Sequence, residues 1–367
     1  MRRMEKVRLT DICDFQGGSQ PPKDEWLFEK QEGYIRMLQI RDFTQSEKVV
    51  PEYVKISKSK TICQADDILI ARYGASIGKI LTGLSGAYNV AIMRAIPDTH
   101  MLQKKYLYYY LKSPYFQTAI LNVGSRAAQA GFNKEDLSKL EIKCPLLSEQ
   151  DSIIDILQKV ESIIGKRKKE LIFLGELVKA RFVEMFGTLH DNENGFDIVT
   201  IEDVCSLIKD GTHQTPQYTE DKKEGYKFLS SKDVMSQKVD WTNIKYIPAE
   251  LHEKLYATIK PQRNDILMSK NGVNYGVAAV NDTDEVFDIY VSLALLRPKK
   301  IIDPVFLKCV INNPETKWQF DSSIKGIGVP NLHLGEIKKT RMFLPPIELQ
   351  NQFADFVRAI DKSKVAI

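Results

Sequence analysis

The 367-residue chain is sparing with the residues that mark several classes of protein. It has five cysteines, Cys13, Cys63, Cys144, Cys205 and Cys309, an odd number with no Cys-x-x-Cys pair. That argues against a disulfide framework and a cysteine zinc site, and suits reduced thiols in a cytoplasmic setting. The five histidines, His100, His190, His213, His252 and His333, show no metal-ligand spacing, so no metal site is expected. No apolar run approaches the ~20 residues needed to span a bilayer, so no membrane association is expected. The basic start Met1-Arg2-Arg3-Met4-Glu5-Lys6 is followed by no apolar stretch, and no secretory signal is expected. The net charge of +4 is too small to argue for a polyanionic partner from the total alone. What remains, 43 % hydrophobic and 27 % charged residues, is the composition of a globular protein with room for two or three domains.

The dominant signal is that the chain is written twice. Val7-Arg8-Leu9-Thr10-Asp11-Ile12-Cys13 matches Val199-Thr200-Ile201-Glu202-Asp203-Val204-Cys205, 192 residues later, and Gly33-Tyr34 matches Gly225-Tyr226 at the same offset. Asp67-Ile68-Leu69 matches Asp265-Ile266-Leu267, and a paired-glycine turn comes after each, Gly74 to Gly78 and Gly272 to Gly276. Further on, Asn133 matches Asn331, Pro145 matches Pro345 and Gln150 matches Gln350. Ordered matches at so long a period indicate a duplicated domain rather than a solenoid. Each copy opens with β-type runs, Tyr34 to Ile40, Ile68 to Tyr73 and Ala87 to Ile96 in the first, and Tyr226 to Ser230, Ile266 to Ser269 and Tyr290 to Arg297 in the second. A helical stretch comes next, Lys104 to Leu111 or Pro304 to Ile311, ending before a proline as expected. An extended strand to Pro145 or Pro345 closes each copy.

Between the copies, Ile153, Leu157, Val160, Ile164, Leu171, Leu174, Val178 and Met185 are spaced in steps of three and four, with only Arg167 and Arg181 interrupting. This heptad pattern predicts one long helix from about Glu149 to Phe186, roughly 55 Å long, with Gly165 and Gly175 as candidate bends. Copy two begins the same helix with Leu349, Phe353, Phe356, Ile360 and Ile367. An exposed apolar seam is unfavourable in water, so the two helices are expected to pair antiparallel.

No constellation for catalysis emerges. Gly74-x-x-x-Gly78-Lys79 is one residue short of a phosphate-binding loop and has Ile80 where Ser or Thr should hold magnesium. Asp66-Asp67 lacks a nearby Glu-x-Lys, and the commoner role for Asp67 and Asp265 is turn formation before a strand. No Gly-rich methyl-donor loop with a downstream Asn/Asp-Pro-Pro-aromatic motif is present. Non-catalytic readings therefore lead, one of them a helical protein-interaction scaffold with two non-DNA-binding α/β domains.

The layout resembles the specificity subunits of type I restriction–modification enzymes. The resemblance rests on the duplicated plan, on Gln16-Gly17-Gly18-Ser19-Gln20-Pro21-Pro22, on Gly328-Val329-Pro330-Asn331-Leu332, and on Leu177-Val178-Lys179-Ala180-Arg181-Phe182-Val183-Glu184-Met185-Phe186-Gly187. It implies an α+β fold: two tandem, related, mixed α/β target recognition domains, 1–148 and 188–346, joined by long antiparallel coiled-coil-like helices, 149–187 and 347–367. The last helix is shorter than the alignment of copies leads one to expect. The implied role is a targeting subunit that reads a bipartite, asymmetric DNA sequence. Two methyltransferase subunits, and in some complexes restriction subunits, would act there on double-stranded DNA. S-adenosylmethionine, ATP and magnesium would belong to those partners, with no cofactor in this chain. Candidate DNA contacts are Arg72 and Lys79 by the first paired-glycine turn, Lys270, Asn271 and Asn274 by the second, and the loop residues Ser125, Arg126, Gln129, Asn133 and Lys134 with Lys325 and Asn331. Candidate partner contacts are Leu157, Leu174, Val178, Phe353 and Phe356. Antiparallel helices would place the half-site centres about one helical turn apart, ~34–36 Å.

Overall fold

The computed structural model describes residues 6–59, 61–124, 131–324 and 330–366. The chain divides into two compact units, Met1–Gly165 and Lys166–Ile367. In the first, the elements are β1 (Lys6–Arg8), α1 (Leu9–Ile12), β2 (Cys13–Gly17), β3 (Tyr34–Leu38), α2 (Ile40–Thr44), β4 (Tyr53–Lys55), β5 (Ile62–Cys63), β6 (Ile68–Ala71), β7 (Ile80–Leu81), β8 (Gly86–Tyr88), β9 (Ile92–Pro97), α3 (Lys104–Lys112), α4 (Pro114–Gly124), α5 (Lys134–Leu137) and β10 (Glu141–Lys143). Helix α6 (Leu147–Phe186) begins there and ends in the second unit. The second unit continues with β11 (Asp197–Thr200), α7 (Ile201–Val204), β12 (Cys205–Asp210), β13 (Tyr226–Leu229), β14 (Lys245–Ile247), α8 (Ala249–Tyr256), β15 (Ile266–Ser269), β16 (Ala278–Val280), β17 (Phe287–Ile289), β18 (Leu293–Pro298), α9 (Pro304–Ile311), α10 (Pro314–Ser323), α11 (Leu334–Lys339), β19 (Arg341–Leu344) and α12 (Ile347–Ala366).

The duplication seen in sequence is a duplication of topology. Each unit has an antiparallel four-stranded sheet, β2-β9-β6-β7 in one and β12-β18-β15-β16 in the other. Each also has a smaller sheet, β4-β3-β8-β5 or β14-β13-β17, in which one pair is parallel. A two-stranded antiparallel pair ties the start of each copy to its end, β1 with β10 and β11 with β19.

The strands β6 and β15 carry no polar alternation because both their faces are covered. Ile68 and Ile70 pack among the helices with Leu107, Leu111, Phe116 and Ile120, whereas Leu69 and Ala71 pack with Leu81 of the same sheet and with Leu38 and Tyr88 of the smaller one. In the second unit, Ile266 and Met268 join Phe306 and Phe320, and Leu267 joins Leu229, Phe287 and Leu293. The run Ala87 to Ile96 is two strands, β8 and β9, placed in different sheets, rather than one. The prolines after α3 and α9 each open a further helix that the pattern did not reveal. Pro314 sits in the first turn of α10, whose cap is the Asn313 side chain accepting from Glu315 N at 2.9 Å.

Helix α6 runs unbroken for 40 residues through Gly165 and Gly175, about 60 Å at the α-helical rise. The buried amides of Gln150 and Gln350 anchor α6 and α12 to their own units. Gln150 Oε1 accepts from Gln103 N at 2.8 Å, and its Nε2 donates to Met101 O at 2.7 Å and Pro145 O at 2.9 Å. Gln350 repeats this with Asp303 N at 2.9 Å, Ile301 O at 3.2 Å and Pro345 O at 2.8 Å.

Within the second unit α12 packs on the end of α6 through aromatic rings. Phe353 lies 5.5 Å from both Phe182 and Phe186, and the Arg181 guanidinium lies 6.0 Å from the Phe356 ring. Further along, Gly175 and Val178 share a cleft with Val357, Asp361 and Lys364. Positions rise along α12 as they fall along α6, so the pair is antiparallel. Of the seam residues, Leu171 in this unit and Val160 and Ile164 in the first are exposed. Phe353, expected at a partner surface, is instead fully buried core.

Candidate nucleic-acid interface

In each unit three segments meet at one end of the main sheet. The first is the paired-glycine turn. Gly74 and Gly78 have φ of +70° and +80°, and Gly272 and Gly276 have φ of +84° and +86°, a left-handed backbone that side chains rarely adopt. Both turns close with the same hydrogen bonds: Gly78 N to Ala71 O at 2.9 Å and Gly276 N to Ser269 O at 2.7 Å. The turn's leading edge is held by Arg72 N to Ala91 O at 2.8 Å, or Lys270 N to Ser292 O at 2.9 Å.

The second segment is the strand end carrying Gly18 or Gly211. A Cβ on Gly18 would lie 2.0 Å from Asn89 O, and one on Gly211 would lie 2.1 Å from Ile289 O, so only glycine permits the chain to cross there. The third segment pairs with the turn: Tyr73 bridges Gly131, and Asn271 bridges Asn331. This pairing corrects one equivalence. Asn331 corresponds to Gly131, and Asn133 corresponds to His333, because Phe132 and Leu332 are the matching buried anchors.

The frame is common, but its side chains differ. In the first copy Arg72 is half-buried; its Nε donates to Phe132 O at 3.2 Å, and its guanidinium lies 5.0 Å from the Tyr73 ring. The facing position is Gly17, where a Cβ would approach Arg72 Nη1 to 3.2 Å. In the second copy the facing position holds Asp210, which pairs with Lys270 Nζ at 2.9 Å and with His213 Nε2 at 3.2 Å. Burial pushes the Asp210 carboxyl up, but the hydrogen bond and charge of Lys270 and the charge of His213 outweigh it and hold it below its ordinary value. Lys270 is 4 % exposed, so the expected free cation is an internal ion-pair partner that shapes the site.

Lys79, Asn274 and Asn331 are exposed on these segments. Asn133 caps α5 by accepting from Asp136 N at 3.0 Å, and Lys134 pairs with Asp14. The Oδ1 of Asn271 is buried and has no hydrogen-bond partner among the described residues. Ser125, Arg126, Gln129 and Lys325 lie outside the described residues. The stretch Gly211-Thr212-His213-Gln214 was not singled out in sequence. It is the counterpart of the stretch that begins at Gly18, displaced by one residue because β12 shifts register between Cys205 and Leu207.

The carboxylates Asp67 and Asp265 are structural. Each accepts from the backbone three residues before it, Gln64 N at 2.9 Å or Gln262 N at 2.8 Å. Each also meets an arginine, Arg94 at 3.0 Å or Arg297 at 2.8 Å. Asp66 pairs with Lys104 at 2.7 Å, so this acidic pair is neutralised by cations.

The duplication is also that of a known family. The sequence model of the type I restriction modification DNA specificity domain matches residues 1–172 and again 193–367. The chain belongs to this family of type I restriction–modification specificity subunits. It is similar to the specificity subunit of the type I restriction enzyme MjaVIII from Methanocaldococcus jannaschii, 22 % identical across 97 % of this chain and 86 % of that one. It is also similar to the EcoBI specificity subunit from Escherichia coli, 23 % identical across 74 % of this chain and 64 % of that one. Among solved structures it resembles the type I restriction–modification S subunit from M. genitalium, with a TM-score of 0.54 and 14 % identity over 100 % of this chain and 92 % of that one. That likeness bears on the fold, two related α/β units with long helices. No described helix is long and apolar enough to cross a membrane.

Proposed function

We propose that the chain reads a bipartite, asymmetric double-stranded DNA target, one half per unit, and directs adenine methylation or cleavage by partner subunits without a catalytic site of its own. The observation that carries this reading is the frame built twice with diverged side chains. Gly17, Arg72, Tyr73 and Gly131 line it in one copy, and Asp210, Lys270, Asn271 and Asn331 in the other. A constant frame with variable side chains is what two different sequence readers need: the backbone sets position and the side chains set base preference. On this reading Lys79 approaches phosphate, while Asn274 and Asn331 offer amides suited to adenine edges. Arg72 and Lys270 hold the frame rather than contact DNA.

The partner subunits take the exposed apolar residues of α6, which include Ile156, Val160, Ile163, Leu171, Ile172 and Phe173. So many exposed apolar side chains on one helix are unusual for a helix left in water. S-adenosylmethionine, ATP and magnesium belong to those partners. The test is methylation mapping in cells carrying the wild-type chain or Asn274→Ala. The variant should alter base preference in one half of the target only. A wild-type map with a single continuous target, or a variant that changes both halves, refutes the division of labour.

A further inference from the structure

The second unit has a separate cleft that none of the paired-glycine turn residues lines. Between the end of α6, the loop at 236–238, the start of α10 and α12 there is a cleft of about 480 Å³. That falls in the range of small-molecule sites, roughly 300–1,000 Å³. Its walls include Val178, Phe182, Phe353 and Val357. Lys308, on α9, also lines it and is 9 % exposed, yet its ammonium has no ion-pair or hydrogen-bond partner among the described residues. The acids nearby are already engaged. Asp361 is shared by Lys364 at 3.2 Å and Lys238 at 3.9 Å, and Asp303 takes Arg358 at 3.0 Å. Glu315 accepts from Leu189 N at 2.9 Å. A lysine side chain nine-tenths buried, lining a cleft of mixed apolar and polar walls with no counter-ion of its own among the described residues, is a ready partner for an anion.

The first copy explains why the space exists. Gln103 and Asp303 meet Gln150 and Gln350 in the same way, so Tyr108 and Tyr109 are the counterparts of Lys308 and Cys309, and Glu161 is the counterpart of Asp361. There the Tyr109 hydroxyl donates to Glu161 at 2.8 Å, and Lys112 pairs with the same carboxylate at 3.0 Å. A large ring spans the interval from α3 to α6, which corresponds to the interval from α9 to α12 in the second copy. In the second copy Cys309 is too small to do so, and Lys308 stands where the first copy has another ring.

We infer that this cleft binds a compact apolar carboxylate, with the carboxylate on Lys308 and the hydrocarbon body against Val178, Phe182, Phe353 and Val357. The inference goes beyond DNA reading and does not depend on it. A bound ligand would tie α9, α12 and the end of α6 together at the helix pair.

Octanoate titrated calorimetrically into the purified full chain tests this, with octan-1-ol and inorganic phosphate as controls. Saturable binding of one equivalent is expected in about the millimolar range. Octanoate should bind about tenfold or more tighter than octan-1-ol, because only the former makes a charge-assisted contact. Lys308→Met should remove that difference, Lys308→Arg should keep it, and Cys309→Tyr, which installs the first copy's residue, should block both ligands. Octan-1-ol binding the wild-type chain as tightly as octanoate overturns the inference. So does undiminished octanoate binding to Lys308→Met or Cys309→Tyr, equal binding of inorganic phosphate, or no saturable octanoate binding. The octanoate-to-octan-1-ol comparison uses the wild-type chain, so it stands even where a variant fails to fold.

Discussion

Replacing Gln350 by Leu probes the joint between α12 and its unit. The side chain is fully buried and makes three hydrogen bonds, to Asp303 N, Ile301 O and Pro345 O. Leucine is close in volume and makes none. Each bond contributes about 1 kcal/mol net, and each buried backbone group left without a partner costs about 1–3 kcal/mol. Some of those groups will find water, so the expected loss is about 3–5 kcal/mol, a large part of a domain stability of roughly 5–15 kcal/mol. Gln350→Glu separates polarity from size. It keeps an acceptor for Asp303 N but sets a carboxylate oxygen against two carbonyls. It should therefore destabilise at neutral pH and recover in part when protonation restores a donor. Urea unfolding monitored by circular dichroism reads both variants. The transition of the second unit should move, and that of the first, with its own core, should stay. Gln150→Leu should do the reverse. A loss below about 1 kcal/mol for either leucine variant would refute the claim that these amides anchor the helices.

Asp210→Ala strands the buried Lys270 ammonium and should cost about 3 kcal/mol in urea unfolding, while the double variant with Lys270→Met should recover most of it. The Asp210 carboxyl lies below its ordinary value in the folded chain. Its contribution is therefore full above the unfolded carboxylate range and is lost as pH falls through the lowered folded value, and Asp210→Ala should flatten the stability profile in that acid window. Phe353→Ala opens a cavity among Phe182, Phe186 and Phe306 and should cost about 3–5 kcal/mol in unfolding of the second unit. By contrast, Val160→Asp with Leu171→Asp alters exposed positions. That double variant should leave the unfolding midpoint nearly unchanged while abolishing co-purification with the methyltransferase subunit, because a charge would be buried at the contact. Lys79→Ala should weaken DNA binding in gel-shift and lower its salt dependence by about one counterion without changing base preference.

The sequence by itself determined the repeat, the long heptad helix and the inner strands β6 and β15 of the main sheets. Those features are local and periodic: β6 and β15 read as short apolar runs bounded by turn residues, and the seam of α6 reads in steps of three and four. The Gln150 and Gln350 matches aligned the two helices, but two of the three hydrogen bonds that each makes, to loops 47 and 49 residues away, became evident only in space. Tertiary structure also decided the fate of charged and apolar side chains, because burial is set by partners distant in sequence. Lys270 reads as a surface cation until Asp210 is brought to it from 60 residues away. Phe353 and Val160 are both heptad residues, yet one is core, packed on Phe182 and Phe186, and the other is exposed. The equivalences of Asn331 with Gly131 and of Gly211 with Gly18 depend on strand register and a one-residue shift in β12. Residue identity determines what a segment can form; which side chain faces a neighbour, an ion-pair partner or water is a property of the assembled layers.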